Sequence, residues 1–186
     1  LIAEDLPKDA AQRKKQKPDF EILLTLPDDR LLALGSGSTP QRMRGAVVDL
    51  PTNGAPASVR LIDLRPLFSA LTPLVPEVNL EGAVLEGENL LLFNRGTMAH
   101  PASHIVEVPM AAVLAGEAML AALRATLTLP LCAGVPLTVT DACRLEDGRI
   151  LLSAVAEATA DSYADGALVG AAMVELDADF TVRAVE

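Results

Sequence analysis

The chain has 186 residues, of which 51% are hydrophobic, with no Trp, one Tyr and four Phe. Its formal charge of −10 and its few aromatic rings argue against nucleic acid binding, which needs basic surfaces and rings for stacking. The longest apolar stretch begins at Met110 but contains Gly116 and Glu117, and it falls short of the ~18 residues that span a membrane. We therefore expect neither a nucleic acid nor a membrane partner.

The first residues, LIAED from Leu1, resemble AVAEA from Ala154, which lies inside the third of three repeats. This similarity predicts that residues 1–19 are the remnant of a further repeat, and that the sequence is a fragment. The basic run RKKQK from Arg13 is interpreted as a solvated connector, with a short binding arm as the alternative.

Three similar phrases follow along the chain: LPDDRLLALG from Leu26, LEGENLLLFN from Leu85 and LEDGRILLSA from Leu145. Their leucines are 59 and then 60 residues apart, and each leucine precedes an Asp/Gly-type turn and an aliphatic run. A strand, a tight turn and a second strand are typical of a hairpin. We predict that the three leucines occupy equivalent positions, each at the end of the first strand of its repeat.

Further apolar runs in each repeat indicate a third and a fourth strand. In chain order the predicted strands are FEILLTL, RLLALGS, GAVVDL and VRLIDL; NLEGAVL, NLLLFNR, HIVEVP and LRATLTL; TDACRL, RILLSAVAE, GAAMVEL and FTVRAV. A short helical turn at LRPLFSAL and a longer helix at PMAAVLAGEAMLAAL interrupt this pattern. Repeated units of four antiparallel strands predict a single-domain, all-β partial β-propeller with blades over about 20–64, 79–130 and 138–186.

Several stretches resemble a known family. NLEGAV, LLLFNRG, GSGSTPQRMRG, TDACRLEDGRILLSAVAEAT and DGALVGAAM together resemble an uncharacterised bacterial β-propeller family, a domain of unknown function. That family is distantly similar to the esterase-like phytase propellers. The resemblance covers nearly the whole chain and implies the propeller fold without implying an activity.

Two acids stand at the predicted entrances to successive blades. Glu81 and Asp141 are 60 residues apart, and the same count places Ile22 at the corresponding position of the first repeat. Such carboxylates could coordinate Ca²⁺, which takes oxygen ligands, or act as an acid and a base. Alternatively, each caps a turn through backbone N–H groups.

Asn94 and Arg95 end the second strand of the middle repeat, where the other repeats have the small pairs Gly35-Ser36 and Ala154-Val155. Arginine presents a planar fork that binds a carboxylate or phosphate with two hydrogen bonds. The sequence therefore indicates an anion-binding pair here. A salt bridge to Glu81 or Glu77 is the structural alternative.

The loop GSGSTPQRMRG from Gly35 combines glycines and serines with two cations, Arg42 and Arg44. Its backbone N–H groups could form an anion-binding nest, with the two guanidinium groups supplying charge. A plain turn between strands is the alternative. In the third repeat, EATADSYADG carries Glu157, Asp161 and Asp165, and Glu157 is the acid expected to face the channel.

Other reactive residue types are scarce. Pro101 lies between His100 and His104, which disfavours a zinc-binding helix, and no Ser–His–Asp set is present. The two cysteines, Cys132 and Cys143, form no disulfide framework and slightly favour a reducing, cytoplasmic environment.

These observations predict a ligand-binding propeller that recognises a small anionic molecule at the mouth of its channel. The predicted site contains the residues Arg42, Arg44, Glu81, Asn94, Arg95, Asp141 and Glu157. No cofactor is required, although calcium is the candidate ion. A metal-assisted hydrolase of phosphate or carboxylate esters is the alternative function, and the sequence alone does not assign a reaction.

Overall fold

The fold is seen in a computed structural model, which describes residues 8–9, 12–13, 17, 19–51, 57–159 and 166–186. Most of the predicted remnant over residues 1–19 lies outside the described residues, as do Asp161 and Asp165. The described chain forms three antiparallel sheets that follow one another in sequence, here named sheets I, II and III. The prediction of an all-β chain built from three antiparallel units is confirmed.

Sheet I contains four strands in sequential order: β1 (Phe20–Thr25), β2 (Leu31–Gly35), β3 (Arg44–Asp49) and β4 (Ser58–Asp63). A single 3₁₀ turn (Pro40–Arg42) lies between β2 and β3. Helix α1 (Arg65–Leu71) follows the sheet and buries Leu67, Phe68 and Leu71. Its position agrees with the helical turn expected from LRPLFSAL.

Sheet II repeats this order with β5 (Leu80–Glu86), β6 (Asn89–Asn94), β7 (Ser103–Pro109) and β8 (Ala122–Leu127). Helix α2 (Met110–Ala115) lies between β7 and β8 and ends at Gly116, which has φ 69°. The predicted long helix is therefore wrong beyond Ala115. The left-handed conformation at Gly116 stops the helix, as glycine commonly does after a last helical turn.

Sheet III has five strands: β9 (Leu131–Cys132), β10 (Val135–Arg144), β11 (Ile150–Ala158), β12 (Ala167–Leu176) and β13 (Val182–Val185). The fifth strand is the two-residue β9, which pairs with the start of β10, so β10 to β13 correspond to the four strands of the other sheets.

The sheets stack face to face in chain order because sheet II is apolar on both faces. Along β6, Leu90 and Leu92 pack into the core shared with sheet I, whereas Leu91 and Phe93 pack into the core shared with sheet III. Successive side chains of a strand point to opposite faces, so one continuous aliphatic run serves two interfaces. The first strands of the sheets lie side by side, β5 next to β1 and β10 next to β5.

The first strand of every sheet contains a β-bulge at the same place. Pairing skips one residue between Phe20 and Ile22, between Leu80 and Gly82, and between Val139 and Asp141. The extra residues are Glu21, Glu81 and Thr140, respectively. A bulge leaves its extra residue out of the ladder and redirects its side chain. These three residues are therefore structurally equivalent.

This register corrects the alignment drawn from the leucines. Hairpins I and III turn through three residues between Leu26 and Arg30 and between Leu145 and Arg149, whereas hairpin II turns through two. Leu26 and Leu145 follow their strands directly, but Leu85 lies inside β5, one residue out of step. The proposed equivalence of Glu81, Asp141 and Ile22 is therefore wrong by one residue.

Candidate functional site

A polar cluster lies where the second strand of sheet II ends, next to the first strand of sheet III. Asn94 pairs with Leu80 across the bulge, so its equivalents are Gly35 in sheet I and Ala154 in sheet III. Arg95 comes next and corresponds to Ser36 and Val155. Only sheet II therefore carries a cation at this position, as the sequence indicated.

Arg95 joins sheet II to sheet III. Its Nη2 donates to Glu157 Oε2 at 2.6 Å and its Nε donates to Thr138 Oγ1 at 3.2 Å. Its Nη1 is 3.5 Å from Glu81 Oε1, which is an ion pair but a longer contact than the other two. The side chain of Arg95 is only 14% exposed. We name Glu81, Arg95, Thr138 and Glu157 the Arg95 cluster.

Asn94 supports this cluster through the backbone. Its Oδ1 accepts a hydrogen bond from Asn79 N at 2.7 Å, and its Nδ2 donates to Glu77 O at 2.9 Å. Asn79 in turn donates from Nδ2 to Glu81 Oε1 at 2.8 Å. Because Asn94 is buried and uses both ends of its amide on backbone groups, its role here is to hold the segment that positions Glu81.

Glu81 is the most perturbed acid of the cluster. Burial raises the pKa of the Glu81 carboxyl to about 7, against the lowering effect of Arg95, and the Glu21 carboxylate adds to the rise. Burial and the neighbouring Asp19 carboxylate likewise raise the pKa of Glu21. The bulged acid of sheet I therefore raises the pKa of the bulged acid of sheet II. The alignment of the repeats by sequence did not include Glu21.

Glu157 is held from two sides. Its Oε2 accepts from Arg95, while its Oε1 accepts a hydrogen bond from Gly166 N at 2.7 Å. A Cβ at Gly166 would lie 2.3 Å from Ala158 O, so the chain returns close to β11 at this point. Glu157 thus faces the cluster while it anchors the start of the segment leading into β12.

Arg42 occupies a separate polar group in sheet I. Its Nη2 forms an ion pair with Asp19 Oδ2 at 2.9 Å and its Nη1 donates to Ser38 Oγ at 3.0 Å. Asp19 also pairs with Lys17 Nζ at 2.6 Å. Arg42 lies close enough to Glu21 to lower the pKa of that carboxyl, against the rise that burial and Asp19 cause.

The loop after β2 does not form the expected anion nest. Ser36 N donates to Asp19 O, Gly37 N to Arg42 O and Ser38 N to Ser36 Oγ. These N–H groups are thus occupied within the protein. Gly37 has φ 76°, and a Cβ there would lie 2.1 Å from the Phe68 ring, so close packing on α1 explains this glycine.

Two predicted site residues lie apart from the cluster. Asp141 is exposed, and its Oδ1 accepts a hydrogen bond from the adjacent Ala142 N at 2.7 Å. Arg44 is also exposed and borders a surface cleft of about 590 Å³ together with Gln41, Asp63 and Arg65. Neither residue forms a hydrogen bond or ion pair with the Arg95 cluster among the described residues. For Asp141 the reason is the register, since it takes the position of Gly82 and not that of Glu81.

Among the described residues, no group of three or more His, Cys, Asp and Glu side chains is placed to hold a metal ion. His104 is buried in β7 opposite Asn94, and its burial lowers its pKa, whereas His100 is exposed in the preceding loop. Nothing in the described part of the chain favours the metal-assisted hydrolase, which stays an untested prediction. In the same ranges, no helix has the length and apolar character needed to cross a bilayer.

The fold and the cluster define an all-β protein of stacked antiparallel sheets with a largely buried arginine between two of them. The chain belongs to the family of unknown function DUF6910, whose model matches residues 13–186. Comparisons with curated proteins and with solved structures found no match. The family description names neither a propeller nor a phytase, so those parts of the resemblance remain predictions.

Proposed function

We propose that sheets I to III are successive blades of a β-propeller. Three observations support this arrangement: the sheets stack in chain order, their first strands lie side by side, and each first strand has its bulge at the same place. In a propeller, four-stranded blades surround a central channel with their first strands innermost. The bulged residues Glu21, Glu81 and Thr140 would then lie at one level around that channel.

We further propose that the protein binds a small anionic ligand at the Arg95 cluster. The observation that carries this proposal is the asymmetry of Arg95. Its Nη2 and Nε have close partners, but among the described residues its Nη1 has only the 3.5 Å contact with Glu81. An arginine fork accepts a carboxylate or phosphate through parallel N–H groups. A ligand oxygen could therefore replace Glu81 on Nη1.

The chemistry of Glu81 makes this exchange feasible. With a pKa of about 7, the Glu81 carboxyl loses little by taking up a proton near neutral pH when an anion takes its place beside Arg95. Binding would then be coupled to the uptake of up to one proton. Affinity for the anion should increase as the pH falls from about 8 to about 6, across the range in which Glu81 titrates.

Titration calorimetry with inorganic phosphate, acetate and succinate tests this proposal. We expect at least one of them to bind the wild type, more tightly at pH 6 than at pH 8, and Arg95→Gln to remove the binding. Arg149→Gln is the matched control, because Arg149 pairs with Asp147 and Glu175 away from the cluster. Binding that survives in Arg95→Gln, or that is lost equally in Arg149→Gln, would contradict a site at Arg95.

A further inference from the structure

One face of sheet I packs on sheet II, but no sheet among the described residues packs against its other face, which is apolar. Two rows of paired residues cross this face, from Leu23 to Leu61 and from Leu31 to Val59. Its apolar residues are Leu23, Leu31, Ala33, Ala46, Val48, Val59 and Leu61. Leu23, Val59 and Leu61 are 68%, 43% and 60% exposed, whereas Leu31, Ala33 and Val48 are half-buried and Ala46 is buried. Side chains of this size left in water on one face are typical of an interaction surface. We name it the leading face of sheet I.

The other two sheets bury the equivalent face. By the register of the bulges, Leu23 corresponds to Ala83 and Ala142, and Ala33 corresponds to Leu92 and Leu152. Ala83 and Leu92 belong to the core between sheets I and II, and Ala142 and Leu152 to the core between sheets II and III. We name the opposite face of each sheet its trailing face. The leading face of sheet II packs against the trailing face of sheet I, and the leading face of sheet III packs against the trailing face of sheet II.

The trailing face still uncovered in the described chain is that of sheet III. It carries Cys143, Leu151 and Met173, with Asp141, Ser153 and Glu175 among them. The equivalents of Cys143 and Leu151 in sheet II, Val84 and Leu91, pack against sheet III. One acid on this face, Glu175, also has an equivalent in sheet II. That residue is Glu107, which forms an ion pair with Arg124.

We propose that the leading face of sheet I binds the trailing face of sheet III of a second copy of this chain. Each face has a charged group that forms no ion pair among the described residues, and the two groups are opposite in sign. Arg44 lies at the margin of the leading face and Asp141 on the trailing face. An isologous contact of two leading faces would instead leave both trailing faces open.

Two such contacts, made reciprocally, would close a ring of six sheets from two chains. A head-to-tail interface forms a closed ring when its rotation closes, and propellers contain roughly four to eight blades. The closed ring rests on the blade arrangement proposed above, whereas neither the ring nor the contact between the two faces depends on the ligand proposed for the Arg95 cluster. A failure of anion binding would leave both unchanged.

The junction between sheets II and III specifies which residues should meet across the new interface. There, Gly82 lies against Ala142, and Glu86 Oε1 accepts from Arg144 Nη2 at 2.9 Å. Between Gly82 and Glu86 on the same face lies Val84, which corresponds to Cys143. Because Ala142 and Arg144 correspond to Leu23 and Thr25, Cys143 of one copy should lie between Leu23 and Thr25 of the other.

Cross-linking tests this arrangement. In a Cys132→Ser background, Leu23→Cys should form a covalent dimer through native Cys143 with a short bismaleimide, and adding Cys143→Ser should abolish it. Leu120→Cys is the control, because Leu120 is 90% exposed but lies outside both faces. A Leu23→Cys dimer that persists with Cys143→Ser would show the isologous contact and overturn the proposal.

Sedimentation gives an independent measurement. The wild-type chain should sediment at twice its 19.5 kDa mass. Leu61→Glu should shift the dimer–monomer midpoint to at least 10-fold higher concentration, while Leu120→Glu should not. Circular dichroism of both variants checks that the sheets remain folded. A wild-type monomer at all concentrations would overturn the proposal, as would equal effects of the two substitutions.

Discussion

Arg95 of sheet II and Glu157 of sheet III form a short ion pair, 2.6 Å from Nη2 to Oε2, with side chains only 14% and 20% exposed. Their contact joins the end of β6 to the end of β11. It adds to the aliphatic packing between sheets II and III and to the ion pair of Glu86 with Arg144. A charge withdrawn from water in this way depends on its partners. The pair therefore supports the fold as well as the proposed ligand site.

Replacing Arg95 should destabilise the protein. In Arg95→Ala, the carboxylates of Glu157 and Glu81 lose the cation beside them while remaining largely buried. Leaving such a charge unpaired costs roughly 3–5 kcal/mol. Urea unfolding followed by circular dichroism measures the loss, and a decrease in the midpoint with an unchanged slope indicates a change in stability.

Arg149→Ala is the control for that measurement. Arg149 also binds two carboxylates, of Asp147 and Glu175, but it is 32% exposed. Exposed ion pairs contribute about 0–1 kcal/mol, so we expect a much smaller effect. If Arg95→Ala unfolds at the same urea concentration as the wild type, the Arg95 cluster has no structural role.

Glu81→Gln should change how stability depends on pH. Burial raises the pKa of Glu81 to about 7 from 4.5, so the folded state holds this proton more tightly than the unfolded chain does. Stability is therefore lost as the pH rises through that interval, because ionised Glu81 remains buried. The variant cannot ionise and avoids this loss, which is up to about 3 kcal/mol.

The measurement is the difference in unfolding free energy between Glu81→Gln and wild type at pH 5 and at pH 8. We expect the difference to favour the variant more at pH 8, because other titrating groups largely cancel. Asp63→Asn is a useful comparison, since the pKa of Asp63 is lowered to about 2 through its bonds to Arg65 and does not titrate in this interval. A difference that stays constant from pH 5 to pH 8 would exclude a titrating Glu81.

The fold was largely predictable because its signals are local. Aliphatic runs such as LLLF in β6 and the Asp/Gly turns between strands identify the hairpins, and their regular recurrence identifies the three sheets. The exceptional pair Asn94-Arg95 was also visible, since two repeats have small residues there. Its contact with Glu81 was anticipated as the structural alternative and is present.

The details of the site were less predictable because bulges and turn lengths shift the register without changing composition. One residue fewer in the second hairpin displaced Leu85, and the count then selected Asp141 where Thr140 is the true equivalent of Glu81. Glu21 was missed for the same reason. The count held within the second strands, because Leu34 and Phe93 are equivalent and are also 59 residues apart, so these strands gave no sign of the offset in the first strands.

Sheets II and III approach each other closely at the bulge of β5. A Cβ at Gly82 would lie 2.7 Å from Ala142 N and 3.0 Å from Asp141 C, both backbone atoms that no change of rotamer can move. Gly82→Ala should therefore push the sheets apart and lower the free energy of unfolding by roughly 1–3 kcal/mol. Gly45→Ala is the milder comparison, because a Cβ there would meet one backbone atom, Ala33 O at 3.0 Å, and the side-chain ends of Leu34 and Leu64 at 3.2 and 3.3 Å. Thermal unfolding compares the two, and a Gly82→Ala variant as stable as Gly45→Ala would mean that the sheets do not approach this closely.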